Sequence, residues 1–360
     1  MSKVLIFANS SGGLYGFRNE LMRALGEKYE VVACTPDDGW MDRLRSVATV
    51  RIIPMDRRGI NPLRDMRLFL SYVRILKQEK PVMAITYTIK PNIYAGFACR
   101  LLNIPYAANI TGLGTAFEKK GPLRFLVCKL YRTALKKSRV VFFENAANLD
   151  AVLKMGLIKE KQACVLAGAG VNLDYYAQVP YPPEEDETRF LFIGRIMKEK
   201  GVFELLSAIS ALHDEGRRVF LDIVGPYEED LSAAIRALEN KKIAAYHGET
   251  EDVRPYIARA HCFVLPSYHE GMANTLLESA SMARPLLTSN IPGCREAVKE
   301  NESGYLFAPH DADSLKHAMQ RFLALSHDER AQMGLLGRAH MENVFDKNKV
   351  VRQTLDRLCL

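Results

Sequence analysis

The chain of 360 residues has no long hydrophobic run. A bilayer-spanning helix needs about 18 or more consecutive apolar residues, so none is expected here. Met1-Ser2-Lys3 leads straight into the apolar run Val4-Leu5-Ile6-Phe7-Ala8, so no secretory leader is expected either. Cysteine is sparse and unpatterned. The seven cysteines are odd in number and scattered, with no C-x-x-C pair, which argues against a disulfide framework and for reduced thiols in a cytoplasmic protein. All eight histidines lie between His213 and His340, which leaves the first half of the chain without an imidazole. No His/Cys cluster has ligand spacing, and the single Asp-x-Asp triplet, Asp311-Ala312-Asp313, opens a late helical pattern where an acid serves as a cap. No metal and no other cofactor is therefore expected. G-x-G-x-x-G is missing too: Gly12-Gly13-Leu14-Tyr15-Gly16 departs from it, and Cys34-Thr35-Pro36 ends the second strand before any acid. A dehydrogenase is the weaker reading.

What is present is an alternation of strands and helices from end to end. Strands fit 3–10, 30–36, 49–56, 82–88, 104–112, 140–145 and 162–168, with helices near 17–28, 39–48, 62–79, 92–103, 122–138 and 146–156. Such alternation predicts a parallel sheet with helices on both faces. The proline- and acid-rich stretch 178–188 continues neither element and reads as a linker. The pattern restarts at Arg189-Phe190-Leu191-Phe192-Ile193-Gly194 and runs to about 310, with closing helices near 311–325, 327–345 and 347–358. The expected organisation is α/β, two Rossmann-like doubly wound domains over 1–177 and 189–345 that face an interdomain cleft. A C-terminal helix within 346–360 is expected to pack back on the first domain. Ligands bind beyond the carboxyl ends of strands in such sheets.

Two segments carry the chemistry. Cys262-Phe263-Val264-Leu265-Pro266-Ser267 reads as a buried strand, and the apolar spacing after Asn274 reads as a helix. Between and within them stand Glu270 and Glu278, eight residues apart. One carboxylate is thus on a loop and the other in the first turns of a helix whose free amides face the same crevice. Such a unit suits a nucleotide-sugar, with a diphosphate for the amides and hydroxyls for the acids. In the second segment, Gly194-Arg195-Ile196-Met197-Lys198-Glu199-Lys200-Gly201, a strand turns into a helix. There Arg195 offers a bidentate grip on phosphate and Lys200 a point charge.

The chain resembles the retaining family-4 glycosyltransferases of the GT-B fold. The resemblance rests on Glu270-Gly271-x-x-Asn274-x-x-x-Glu278, Gly194-Arg195-x-x-x-x-Lys200-Gly201 and the first loop Ser11-Gly12-Gly13. It is narrower towards the bacterial branch that builds capsular and lipid-linked surface glycans, through Asp56-Arg57-Arg58-Gly59-Ile60-Asn61-Pro62, Thr88-Ile89-Lys90-Pro91-Asn92-Ile93-Tyr94 and Ile110-Thr111-Gly112-Leu113-Gly114. The resemblance implies a hexosyltransferase using a nucleotide-sugar, a UDP-sugar by expectation. Glu270 would then orient the donor sugar, and Glu278 would accept the ribose hydroxyls. Arg195 and Lys200 would neutralise the departing diphosphate. Further donor contacts are expected from Gly13, Gly194, Gly271, Met272, Ala273, Asn274 and Thr275, although the usual family form has proline at the position of Ala273. Acceptor contacts are expected from Lys90, Asn109, Thr111 and Gly112. Many relatives place a histidine in the first-domain wall; here Thr111 or Gly112 takes that region, so no histidine base acts from there. The competing readings are a nucleotide-sugar epimerase of the same fold and a non-catalytic nucleotide-sugar-binding partner.

The segment from Lys119 to Phe143 bears Lys119, Lys120, Arg124, Lys129, Arg132, Lys136, Lys137 and Arg139 and no acid. Leu123, Phe125, Leu126, Val127, Leu130, Tyr131 and Leu135 are interleaved with these cations, which makes a basic amphipathic helix. One reading is a core-facing helix with a solvated face; the other, with which the net charge of +7 agrees without deciding, is a surface that holds a peripheral protein on the anionic inner face of the cell membrane, near a lipid-linked acceptor. No nucleic-acid motif accompanies the charge.

Overall fold

The computed structural model describes residues 1–56, 59, 61–113 and 121–359, without the side chains of residues 122 and 123. Arg57, Arg58, Ile60, Gly114, Lys119, Lys120 and the Leu123 side chain lie outside the described residues. The chain divides into two compact units, Met1–Ala169 with Lys347–Leu360, and Gly170–Asp346.

The first unit is a seven-stranded parallel sheet in the order β3-β2-β1-β4-β5-β6-β7. Its strands are β1 (Lys3–Phe7), β2 (Glu30–Thr35), β3 (Thr49–Ile52), β4 (Met83–Tyr87), β5 (Tyr106–Ile110), β6 (Val140–Phe143) and β7 (Ala163–Val165). The helices α1 (Ser11–Gly26), α2 (Met41–Arg45), α3 (Pro62–Glu79), α4 (Ile89–Leu102), α5 (Pro122–Leu135) and α6 (Ala146–Lys154) connect them. A strand points successive side chains to opposite faces, and β1 feeds two helical layers in that way. Val4 and Ile6 pack with Leu14, Leu21 and Leu25 of α1 and with Val350 and Leu358 of the C-terminal helix. Leu5 and Phe7 pack with Leu68, Tyr72 and Leu76 of α3 and Ala95 of α4. That C-terminal helix, Lys347–Leu358, belongs to the first unit.

The second unit is a six-stranded parallel sheet in the order β10-β9-β8-β11-β12-β13. Its strands are β8 (Thr188–Ile193), β9 (Val219–Val224), β10 (Ala244–Tyr246), β11 (Cys262–Leu265), β12 (Leu286–Ser289) and β13 (Gly304–Phe307). The helices are α7 (Val202–Asp214), α8 (Ser232–Asn240), α9 (Arg254–Arg259), α10 (Asn274–Ser281), α11 (Ala312–Leu323) and α12 (His327–His340), and the C-terminal helix is α13. Strand order reverses between β1 and β4 in the first unit and between β8 and β11 in the second. These are the two switch points, beyond which ligand crevices form.

The stretch 178–188 differs from the expected linker, because the second unit begins at Gly170 and includes it. The cause is Arg284, fully buried at 0% exposure, which donates to Pro180 O at 2.7 Å as well as to Ile257 O, Ala258 O and Ala283 O. Tyr181 Oη donates to His261 O at 2.9 Å, and His261 Nδ1 accepts the Arg189 N–H at 3.0 Å. Burial holds His261 below the usual imidazole range, which suits an acceptor nitrogen. Among the described residues no helix is long and apolar enough to cross a membrane.

Candidate active site

The carboxyl ends of β8 and β11 are neighbours, since Cys262 pairs with Phe190 and Phe263 with Leu191. Everything that follows these two strands is therefore brought to one edge. Gly194 follows β8, its amide donating to Val224 O at 3.0 Å, and the chain then makes a short 3₁₀ turn at Lys198–Lys200 before α7. Gly201 makes that turn possible. Its φ is +68°, and a Cβ there would come within 2.1 Å of Pro266 O. This contact seats the turn against the end of β11, and the Tyr268 N–H adds a bond to Glu199 O at 2.9 Å.

The result is that Lys200 Nζ forms an ion pair with Glu270 Oε1, with side chains only 18% and 14% exposed. The structure thus joins two expected site residues 70 positions apart in the chain. Arg195 is not part of that pair: its guanidinium is 47% exposed and bonds Glu228 at 2.7 Å. Glu228 and its neighbour Glu229 come from the loop after β9, which is zipped to this turn through Ile196 O and through Lys198 N–H to Glu229 at 2.8 Å.

Beyond Glu270, the chain runs through buried Met272 and Ala273 into α10. Gly293, at φ +87°, lies so close that a Cβ would meet Gly271 O at 2.6 Å, and its carbonyl takes the Ala273 amide at 2.8 Å. Among the described residues no side chain caps the first turn of α10, which begins at Asn274 and Thr275, and the buried Asn274 Oδ1 has no partner. Uncapped first-turn amides are donors for an anion. Glu278 lies one turn further along, bonded by the Tyr176 phenol, which burial and then this carboxylate push well up.

At the switch point of the first unit the structure corrects the expected loop around Gly12 and Gly13. Helix α1 begins at Ser11, not near Phe17, because Ser10 caps it by accepting the Gly13 N–H at 3.0 Å. The Ser11 and Gly12 amides donate to Asp38 Oδ1 at 3.0 and 3.2 Å, and Ser11 Oγ donates to the same oxygen. Burial alone would push the Asp38 carboxyl up, but the bonds from Ser11, Ser10 and Gly12 hold it below the usual range. Gly13, an expected donor contact, and the amides beside it are thus engaged by the chain itself.

The four candidate acceptor residues fall into two groups. Lys90 Nζ pairs with Asp65 at 2.7 Å, which also accepts from Tyr94 Oη at 2.9 Å. Asn109 is buried; its backbone carbonyl accepts from the Asn92 side-chain amide at 2.8 Å and its own side-chain amide donates to Thr86 O at 3.3 Å. Thr111 and Gly112 are half-buried and follow β5. Two residues not singled out from sequence, Arg18 and Glu144, form a buried pair at 2.6 Å, with Arg18 over the Tyr87 ring at 4.9 Å. Only their type and not their pairing was readable, since they stand 126 positions apart. Among the described residues no cluster of three or more His, Cys, Asp and Glu could hold a metal ion, and Asp311 caps α11 by accepting the Ser314 N–H at 2.9 Å.

Family models match both units. "Glycosyl transferase 4-like" matches residues 3–145 and "Glycosyl transferases group 1" matches 178–340. The chain is a glycosyltransferase of the GT-B fold, family 4. The enzyme is 25% identical, over 98% of its length and 97% of the relative's, to the N,N'-diacetylbacillosaminyl-diphospho-undecaprenol alpha-1,3-N-acetylgalactosaminyltransferase of Campylobacter jejuni. It is 26% identical to the UDP-Gal:alpha-D-GlcNAc-diphosphoundecaprenol alpha-1,3-galactosyltransferase of Escherichia coli, over 82% of this glycosyltransferase and 80% of that one. Among solved structures, Anabaena Alr3699/HepE in complex with UDP and glucose shares the fold, with TM-score 0.83, 14% identity and full coverage of both chains (100% each).

Proposed function

We propose that this glycosyltransferase is a hexosyltransferase that moves a sugar from a UDP-sugar, with retention at the anomeric carbon, to a polyprenyl-diphosphate-linked saccharide in bacterial surface-glycan assembly. The activities for which the Campylobacter and Escherichia relatives are named support the acceptor class, and the UDP-Gal of the Escherichia relative and the UDP bound to the Anabaena protein support the donor. The observation that carries the reading is one strand–loop–helix unit with the Lys200–Glu270 pair on its loop, uncapped amides at Asn274 and Thr275, and Glu278 one turn on. In the reaction, the acceptor oxygen bonds to the anomeric carbon as the bond from that carbon to the phosphate oxygen breaks. The acceptor proton passes to the departing phosphate oxygen on the same face, which needs no histidine base. Lys200, Arg195 and the α10 amides stabilise the charge that grows on the diphosphate. A donor contact at Gly13 requires Ser10 and Asp38 to give up the first-turn amides, so donor binding is assigned to the second unit. The acceptor is assigned to the first unit. There Thr111 and Gly112 make direct contact, while Lys90 acts through the Asp65 pair and Asn109 through the Asn92 network.

Titration calorimetry with UDP separates the two carboxylates. Glu278→Ala is expected to weaken UDP binding roughly tenfold to a hundredfold, the worth of about 1.5–3 kcal/mol for hydrogen bonds to a charged group. Glu270→Ala should leave UDP affinity within about twofold and lower turnover, because a sugar contact is absent from free UDP. Equal loss of UDP affinity in both variants would refute these placements, and NMR of the product's anomeric proton decides retention.

The inner-membrane location rests on exposed apolar side chains among cations. On α5, Phe125 and Leu126 are 74% and 52% exposed, and the cations Lys129 on the same helix and Lys136 at its C-terminal cap are exposed too. On α3, which like α5 packs on α4, Leu63, Met66 and Leu70 are exposed on one face. Arg132 contributes less, as its guanidinium is bonded to Met155 O and Gly156 O. Each cation near an anionic surface contributes roughly 1 kcal/mol, fading with salt. The combined variant Phe125→Ser, Leu126→Ser, Lys129→Gln and Lys136→Gln is expected to leave anionic vesicles in co-sedimentation while binding UDP normally. Unchanged sedimentation would rule this surface out.

A further inference from the structure

The phenol of Tyr268 stands two residues before Glu270 and is used by nothing in the reaction described above. It is 7% exposed, and its Oη donates to Glu204 Oε1 at 2.6 Å. Glu204 lies in the first turn of α7, four residues beyond Lys200. Its other oxygen, Oε2, is buried with no partner among the described residues. A buried carboxylate that keeps one oxygen unpaired costs stability, so the contact calls for an explanation beyond packing. The same tyrosine gives its N–H to Glu199 O, one residue before Lys200, and its ring lies 3.6 Å from that of His310, centroid to centroid. Burial first, then the bond to Glu204, pushes the phenol far above its ordinary range, so it is an uncharged donor at any working pH.

We propose that Tyr268 and Glu204 are positioning residues that lock the turn carrying Lys200 to the loop carrying Glu270. The inference rests on the donor assignment above. The Lys200–Glu270 ion pair cannot do this work itself, since a donor diphosphate is a second anion competing for the same ammonium and the pair must reorganise when it binds. The Tyr268–Glu204 bond touches no ligand. It stays closed through that exchange and keeps the ammonium and the carboxylate at a fixed separation while both change partners. Misplacement of about 1 Å in such a constellation costs on the order of a hundredfold in rate, and a hydroxyl deletion that only loosens the loop is expected to cost roughly tenfold.

Tyr268→Phe removes the hydroxyl and keeps the ring and the backbone bond. With UDP-N-acetylgalactosamine and UDP-galactose as donor probes and UDP release as readout, kcat is expected to fall about tenfold while the UDP affinity stays within about twofold. Glu204→Gln retains a side-chain carbonyl for the phenol and should restore most of the rate, whereas Glu204→Ala should match Tyr268→Phe. The double variant Tyr268→Phe/Glu204→Ala should be no slower than either single one. Hydrogen exchange gives a readout independent of turnover: in Tyr268→Phe, peptides covering 198–204 and 266–272 should exchange faster together while the rest of the second unit is unchanged. Unchanged exchange in those peptides overturns the proposal whatever the turnover. So does a variant that melts earlier yet turns over at the wild-type rate. Failure of the donor assignment shows separately, as a wild-type protein that does not bind UDP.

Discussion

Lys200→Ala is expected to lower kcat by about a hundredfold or more in a protein that remains folded. Cations aimed at charge that develops in the transition state are worth roughly 2.7–4 kcal/mol each when water is largely excluded. Lys200 meets that condition, with a side chain 18% exposed, and Arg195, at 47%, meets it less well. Truncating Lys200 also leaves the Glu270 carboxylate, 14% exposed, without its ion-pair partner and facing the diphosphate as a like charge. The two losses act in the same direction. Arg195→Ala removes a solvated cation that Glu228 already holds, so a loss of roughly tenfold is expected there. Steady-state rates of UDP release, set against UDP affinity by calorimetry, check both. A Lys200→Ala variant with a near-normal rate would remove this lysine from the reaction, and an Arg195→Ala loss larger than that of Lys200→Ala would reverse their ranking.

How much of this was legible in the sequence depends on the range of the interaction. The buried strands were readable because Val4-Leu5-Ile6-Phe7 and Cys262-Phe263-Val264-Leu265 are continuous apolar runs, the mark of a parallel sheet covered on both faces. The start of α1 was not, because a glycine pair reads as a loop while the Ser10 cap and the distant Asp38 carboxylate hold those residues in the first helical turn. The motif residues Arg195, Lys200, Glu270 and Glu278 stood out by type and spacing. That Lys200 pairs with Glu270 while Arg195 turns to Glu228 follows from β8 lying between β11 and β9 in the sheet, and strand order is invisible along the chain. The supporting residues Tyr176, Glu204 and Tyr268 carry no local pattern at all. Each is an ordinary aromatic or acid until the fold sets it against a site residue.

The same limit explains the misplaced linker, and it leads to the largest expected effect on stability. Arg284→Ala should destabilise the second unit by about 3–5 kcal/mol, the usual cost of removing one partner from a buried charged network. The guanidinium is 0% exposed and no carboxylate pairs with it among the described residues; its donors instead reach the carbonyls of Pro180, Ile257, Ala258 and Ala283 at 2.7–3.2 Å. Burial holds it down to about 10, with Tyr181 acting the other way, so it is still charged at neutral pH. Removing it takes the guanidinium donors from these carbonyls, of which Ile257 O keeps the Ala260 N–H at 3.2 Å, and opens a cavity of side-chain size beneath the 178–188 segment. For a unit of this size each kcal/mol shifts the melting temperature by roughly 2–4 °C, so a fall of about 10 °C is expected. The segment should also become a site of proteolytic cleavage, since Pro180 loses its anchor. Arg284→Lys offers three donors from a point charge in place of a planar fork and should recover only part of the loss. Calorimetry and limited proteolysis of the three proteins check this together. A variant that melts as wild type and resists cleavage between 178 and 188 would show that the proline-rich segment is held by its own contacts, with Tyr181 on His261 as the anchor in place of Arg284.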